Sequence, residues 1–187
     1  MASIITATTS SGLTQSADNS GVLQLASGTG NLVTVPSVTG TAMVSGNMPA
    51  FSAYLGGGTQ SINSGVFTKV TFDTETFDTN NNFASSRFTP TVAGYYQLNT
   101  NILFNGIASG VIATVAIYKN GSNYARGMSG YLNNTSGDLE LVATTLAYAN
   151  GTTDYFEIFA FQNSGSAKTI FNDVGLTSFN GCLVRSA

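Results

Sequence analysis

Residues 110–120 read GVIATVAIYKN and residues 154–162 read DYFEIFAFQ. Successive side chains on a β-strand point to opposite faces. In the first stretch Val111, Ala113, Val115 and Ile117 form one row, and Ile112, Ala116 and Tyr118 form the other. In the second, Phe156, Ile158 and Ala160 face one side, and Tyr155, Phe159 and Phe161 face the other. An antiparallel sandwich needs only one apolar face per sheet. Two apolar rows on one strand therefore predict a second face that also leaves water, with another copy of the chain as its cover.

The same reading extends outward into one all-β domain over residues 48–187. Strands are predicted at 50–55, 66–72, 87–89, 95–104, 111–119, 124–132, 139–148, 155–162 and 177–184. Asn120-Gly121 and Asn150-Gly151 suit hairpin turns that need positive φ. Residues 56–58 (GGG) and 80–82 (NNN) mark longer loops. No segment has a sustained helical period, so a sandwich or jelly roll is expected.

Bulk numbers agree with a packed, unusually neutral chain. Of 187 residues only 8% are charged, against roughly 25% in ordinary globular proteins, while 42% are hydrophobic. Net charge is -3 and the six basic residues are scattered, so no nucleic-acid partner is expected, because phosphate binding needs clustered positive charge. No apolar run approaches the length of a membrane span, and MASIITATTSSG lacks the basic and apolar regions of a signal peptide. The sequons at Asn120, Asn133 and Asn150 then read as turn residues. The single cysteine, Cys182, permits no intrachain disulfide and reads as a small buried hydrophobe in the last strand.

Composition shifts near residues 45–49. Residues 1–47 contain one charged residue, Asp18, and residues 21–36 (GVLQLASGTGNLVTVP) read as a hairpin of Val22–Ala26 and Leu32–Val35 around a turn at 27–31. A piece this small cannot build its own core. It reads as an extended, β-prone arm that anchors by adding strands to other subunits. Its anchoring residues are Ile4, Ile5, Leu13, Val22, Leu23, Leu25, Leu32, Val33 and Val35.

The ordered pieces of the domain resemble the globular head of complement C1q and, more distantly, tumour necrosis factor. Residues 49–53 (PAFSA) resemble the family's opening strand. Phe67, Val70 and Phe72, then Phe77-Asp78 and Asn82-Phe83, resemble the segment that follows it. Residues 87–90 (RFTP) and 94–98 (GYYQL) resemble the F-x-x-P-x-x-G-x-Y-x-F run, with Leu98 in place of an aromatic. Lys119-Asn120-Gly121 resembles the hairpin after the fourth strand, and residues 179–183 (FNGCL) resemble the closing F-S-G-F-L. No collagen repeat precedes the head, so only the head is shared. The resemblance implies a ten-stranded jelly roll packed as a threefold trimer, with Gly181 leaving space where three chains converge. Separately, residues 5–28 (ITATTSSGLTQSADNSGVLQLASG) are similar to short modules that open many tailed-bacteriophage virion proteins.

Chemistry-bearing patterns are sparse. The chain has no His, no G-x-S-x-G elbow and no phosphate or dinucleotide loop. Asp73/Glu75 and Asp138/Glu140 are i,i+2 carboxylate pairs, read as solvated strand-edge charges rather than a glycosidase pair. Asp73, Glu75, Asp78 and Asp173 lack a calcium-loop spacing, so no metal or other cofactor is expected. Tyr96, Phe104, Tyr148, Phe156, Phe159, Phe161 and Phe179 are assigned to core or trimer seam. Tyr54, Tyr124 and Tyr131 are taken as loop positions open to outside contacts.

The expected function is non-enzymatic: a trimeric capsid cement or decoration protein on the outer surface of a bacteriophage virion, made in the bacterial host cytoplasm. Its partners would be itself, the major capsid protein and other virion proteins. The alternative is the receptor-binding tip of a tail fibre, whose partner would be a host surface glycan or receptor.

Overall fold

The structure, a computed structural model, describes residues 23–26, 32–35, 48–133 and 135–187. The chain divides into two units, Met1–Thr41 and Ala42–Ala187, against the expected boundary at 47/48. In the first unit, β1 (Leu23–Ala26) and β2 (Leu32–Val35) pair antiparallel, setting Leu23 against Val35 and Leu25 against Val33. Leu32 stands opposite Ala26. The anchoring residues Ile4, Ile5, Leu13 and Val22 lie outside the described residues.

The second unit holds thirteen strands among the described residues, three more than the expected ten. The first sheet runs β11 (Ser122–Gly130), β10 (Ala113–Lys119), β13 (Phe156–Gln162), β8 (Arg87–Phe88), β7 (Phe83–Ala84), with β5 (Thr68–Lys69) also on β13. The second runs β4 (Gln60–Ile62), β14 (Lys168–Ile170), β9 (Gly94–Ile107), β15 (Thr177–Ser186), β3 (Ala50–Tyr54), β6 (Thr74–Asp78), with β12 (Gly137–Ala149) also on β9. All ladders between these strands are antiparallel.

The core lies between the sheets and is aromatic at its centre. Phe51 stacks on Phe88 at 4.2 Å and on Phe83 at 5.2 Å, and Phe179 meets it edge-on at 4.9 Å. Tyr96 is fully buried; its hydroxyl donates to Val92 O at 2.7 Å, and burial pushes its pKa up to about 12. Near the β11–β12 corner the sheets converge. A Cβ at Gly127 would collide with the Ala143 Cβ and the Val142 carbonyl. Ala143 faces Gly127 at this corner, in an inward row of β12 that also holds Leu141, Ala147 and Ala149.

Strand direction gives the unit two ends. Gly94 pairs with Ala149 and Ser186, while Leu183 N bonds Pro49 O and Ala187 N bonds Ala93 O. The first and last described residues of the head, Met48 and Ala187, thus share one end, the base. Ile107 pairs with Gly137 at the other end, the tip. The tip also carries the loops at 63–66, 108–112, 131–133 and 163–167.

Several expectations are corrected here. Within 66–72 only Thr68–Lys69 forms strand, because Val70 and Phe72 turn into the core as a loop whose amides bond Ile158 O and Ser86 Oγ. Asn120 and Gly121 adopt φ 53° and 77° and close the β10–β11 hairpin as expected. Asn150-Gly151 instead crosses between sheets, with the Asn150 Oδ1 accepting the amides of Thr152, Thr153 and Asp154. Gly181 faces the core, where a Cβ would strike Leu98, Gln97 O and Phe51, so its smallness serves the sandwich and not a threefold axis. Cys182 is exposed, because alternation puts it opposite Phe179, Gly181 and Leu183.

Candidate functional site: the outer faces of the two sheets

The outer face of the first sheet carries the second apolar rows of β10 and β13. Much of that face is covered by the chain itself. The Tyr118 and Phe159 rings stack at 4.0 Å. Phe67, arriving from the segment before β5, sits 5.2 Å from Phe161 and 6.0 Å from Tyr118. Arg126 lies over the Phe67 ring at 5.4 Å. Beneath these groups Ala116 and Thr114 are buried, although both point away from the core. The expectation that this double pattern needs a second chain is therefore corrected.

A charged cluster extends the same face. Glu157 is buried and receives Lys69 Nζ at 2.7 Å and Arg87 Nε at 3.0 Å. Burial disfavours its charge, but the two cations outweigh that and hold its carboxyl below the usual glutamate value. Arg87 also lies 3.8 Å above the Tyr155 ring, and Lys69 donates to Ser85 O at 2.9 Å. Ser85 and Ser86 both have positive φ, 52° and 57°. The turn is pinned by Lys69 and by the Ser86 hydroxyl, which accepts from Phe72 N and donates to Phe72 O.

The second sheet presents a different face. Its outward row on β12 is Val142, Thr144, Leu146 and Tyr148; the facing row on β9 is Asn101, Asn99, Gln97 and Tyr95. Leu146 is 54% exposed and Val184 on β15 is 59% exposed. Tyr95 and Tyr148 are also exposed, with ring centroids 5.6 Å apart. These four residues cluster toward the base, with exposed Cys182 paired beside Gln97. Toward the middle the face turns polar. Gln97 Nε2 donates to Thr144 Oγ1 at 2.7 Å, Thr144 to Asn99 Oδ1 at 2.8 Å, and Asn99 Nδ2 to Asn180 Oδ1 at 3.2 Å. These amides and hydroxyls satisfy one another, so covering them leaves fewer unpaired groups.

The seven aromatics assigned to core or seam separate into three places. Tyr96, Phe104, Phe156 and Phe179 are fully buried between the sheets. Phe159 and Phe161 stand half-buried on the outer face of the first sheet, and Tyr148 is exposed on the second. Of the three tyrosines expected in loops, Tyr54 ends β3 and Tyr124 lies in β11, while Tyr131 is in a loop and is 63% exposed. Leu146, Val184 and Tyr95 were not singled out from sequence. Part of their signal was available: one alternating row of β12 carries Val142, Leu146 and Tyr148, while Ala143, Ala147 and Ala149 share the other with Leu139 and Leu141.

The carboxylates hold loops. Asp73 lies outside the strands and accepts the amides of Gly56 at 2.7 Å and Gly57 at 3.0 Å; the Gly56 bond above all lowers its pKa. Asp138 accepts Gly106 N, Asp78 accepts Phe83 N, and Asp173 accepts Gly175 N. Asp154 is held below the usual aspartate value by the Asn120 amide first, and also by Lys119 at 2.9 Å. Among the described residues no three His, Cys, Asp or Glu side chains gather as a metal set.

No protein-family model matches the chain, and no curated protein matches it. Solved structures do. Murine APRIL, in its crystal structure at pH 8.5, superposes with a TM-score of 0.54 at 9% identity, covering 73% of this chain and 99% of that one. Eiger TNF from S. frugiperda gives 0.54 at 6% identity, covering 75% and 95%. The all-β, antiparallel sandwich is thus a jelly roll of the tumour necrosis factor kind.

Proposed function

We propose that this chain is a non-enzymatic structural protein that assembles as a homotrimer through the outer face of its second sheet. The observation that carries this reading is the apolar cluster of Tyr95, Leu146, Tyr148 and Val184, bordered by Lys119 and Arg185 and left open on a sheet whose opposite side is core. An exposed apolar patch rimmed by polar groups marks an association surface. Isolated carboxylates tied to loop amides, and the lack of any His, speak against hydrolytic chemistry.

The setting we propose is a bacteriophage virion, with the head as a decoration or cement protein on the outer surface of the capsid. The phage-like composition of residues 5–28 supports it, as does an almost uncharged arm that contains a β-hairpin. A lone two-stranded hairpin is marginal in water. Three arms on one trimer would bind the major capsid protein or other virion proteins with avidity. The second reading, a receptor-binding tail-fibre tip, is favoured by exposed loops at the end away from Met48.

Copy number tests the setting. Quantitative mass spectrometry of purified particles should find this chain in proportion to the major capsid protein; an amount in proportion to tail proteins would favour the fibre tip, and absence from particles would overturn both. Deleting residues 1–45 should leave a folded trimer that no longer joins particles. Normal incorporation would refute the anchoring role.

A further inference from the structure

The tip loops form a surface unlike the trimer face. They are tied together by backbone and amide contacts. Ile112 N bonds Asn163 Oδ1 at 2.8 Å, and Asn163 N returns to Ile112 O at 3.2 Å. Gly65 N bonds Gln162 O at 2.7 Å, Gly165 N bonds Ser64 Oγ at 2.8 Å, and Gly110 N bonds Leu132 O at 3.0 Å. Buried Gln162 anchors the group from below, donating to Ile62 O at 3.0 Å and Ser166 O at 2.8 Å. The rim is thus pre-organised, which lowers the ordering cost of binding.

Its side chains are neutral. Residues 63–66, 108–112, 131–133 and 163–167 include no charged side chain. Of the charges that flank these loops, Asp138 and Lys168 both hold Gly106, through its N–H and its C=O at 3.0 Å each. What the rim exposes is amide and hydroxyl, interrupted by Tyr131, Ile112 and Val66. Tyr, Ser, Gly and Asn are the residues that binding loops use for adaptable, low-entropy contact.

We infer that the tip rim is a recognition surface for an uncharged saccharide. Such a ligand pairs hydroxyls with amides and lays its C–H faces on Tyr131 and the flanking aliphatic groups. It demands no charge of either sign. A protein partner would be expected to meet charge complementarity, and the rim offers none. The surface lies at the end away from Met48, where the rest of the chain joins, so anchoring and recognition need not compete.

The full chain should be tested on an array of neutral hexose and N-acetylhexosamine oligosaccharides beside uronic-acid and sialylated ones. Neutral oligosaccharides should be retained, with Tyr131→Ala and Ile112→Ser each weakening binding by about tenfold. Light scattering should show the oligomeric mass of both variants unchanged, which separates loss of this surface from failure of the trimer. No neutral ligand at millimolar concentration, preference for acidic glycans, or equal binding by both tip variants would overturn the inference.

Discussion

The outer faces of the two sheets began from opposite sequence patterns and ended with opposite fates. On the first sheet, β10 and β13 are apolar on both sides, yet Phe67 and Arg126 fold over that surplus within the chain. On the second, β9 alternates cleanly, with Gln97, Asn99 and Asn101 outward, yet its base end leaves Tyr95, Leu146, Tyr148 and Val184 in water. Hydrophobic content alone therefore misjudges which face is open. What decides is whether a neighbouring loop of the same chain can reach the face.

The sharpest way to break this contrast is to charge each face in turn. Leu146→Asp with Val184→Asp should abolish the trimer and leave a folded single chain, since both residues lie outside the core; a trimer of unchanged mass would place the seam elsewhere. Phe159→Asp should do the reverse. It puts a charge against a ring stacked at 4.0 Å, so we expect a loss of about 3 kcal/mol by urea unfolding, the range for a charge in a packed cluster. Loss of assembly with stability intact would return Phe159 to the seam.

The charged part of the first face gives a smaller effect. Glu157→Gln should cost about 1–2 kcal/mol, below the usual loss for a broken buried pair because Lys69 and Arg87 are partly exposed. The folded-state carboxyl of Glu157 lies below its ordinary value of 4.5, and Asp154 below 3.8. Their contribution is thus complete above those ordinary values and is lost as pH falls through the lower folded ones. Urea midpoints should hold from neutral pH to about 5 and then fall, less steeply in Glu157→Gln; equal slopes would show that the triad adds nothing. Smallest of all, Cys182→Ser should change unfolding free energy by less than about 0.5 kcal/mol, as for an ordinary surface site.

Much of the fold was legible because its long strands alternate. β9, β10, β12, β13 and β15 announce themselves through rows of Val, Ile, Leu and Phe. β4 (QSI), β6 (TETFD) and β14 (KTI) do not, since strands this short and polar hold no apolar row. The candidate face was harder to read. On β12 both alternating rows hold large apolar side chains, Leu139 and Leu141 on the inward one and Val142, Leu146 and Tyr148 on the outward one, so alternation alone does not say which row is core. Cys182 was misplaced for another reason: the habit of cysteine to be buried was set above the alternation of Phe179, Gly181 and Leu183, which places it outside.

Sedimentation equilibrium of the full chain at micromolar concentration bears most directly on whether the second sheet seeks its own kind. The expected result is three times the mass of one chain, falling to one for Leu146→Asp with Val184→Asp. A stable, soluble monomer of the unaltered sequence would contradict it.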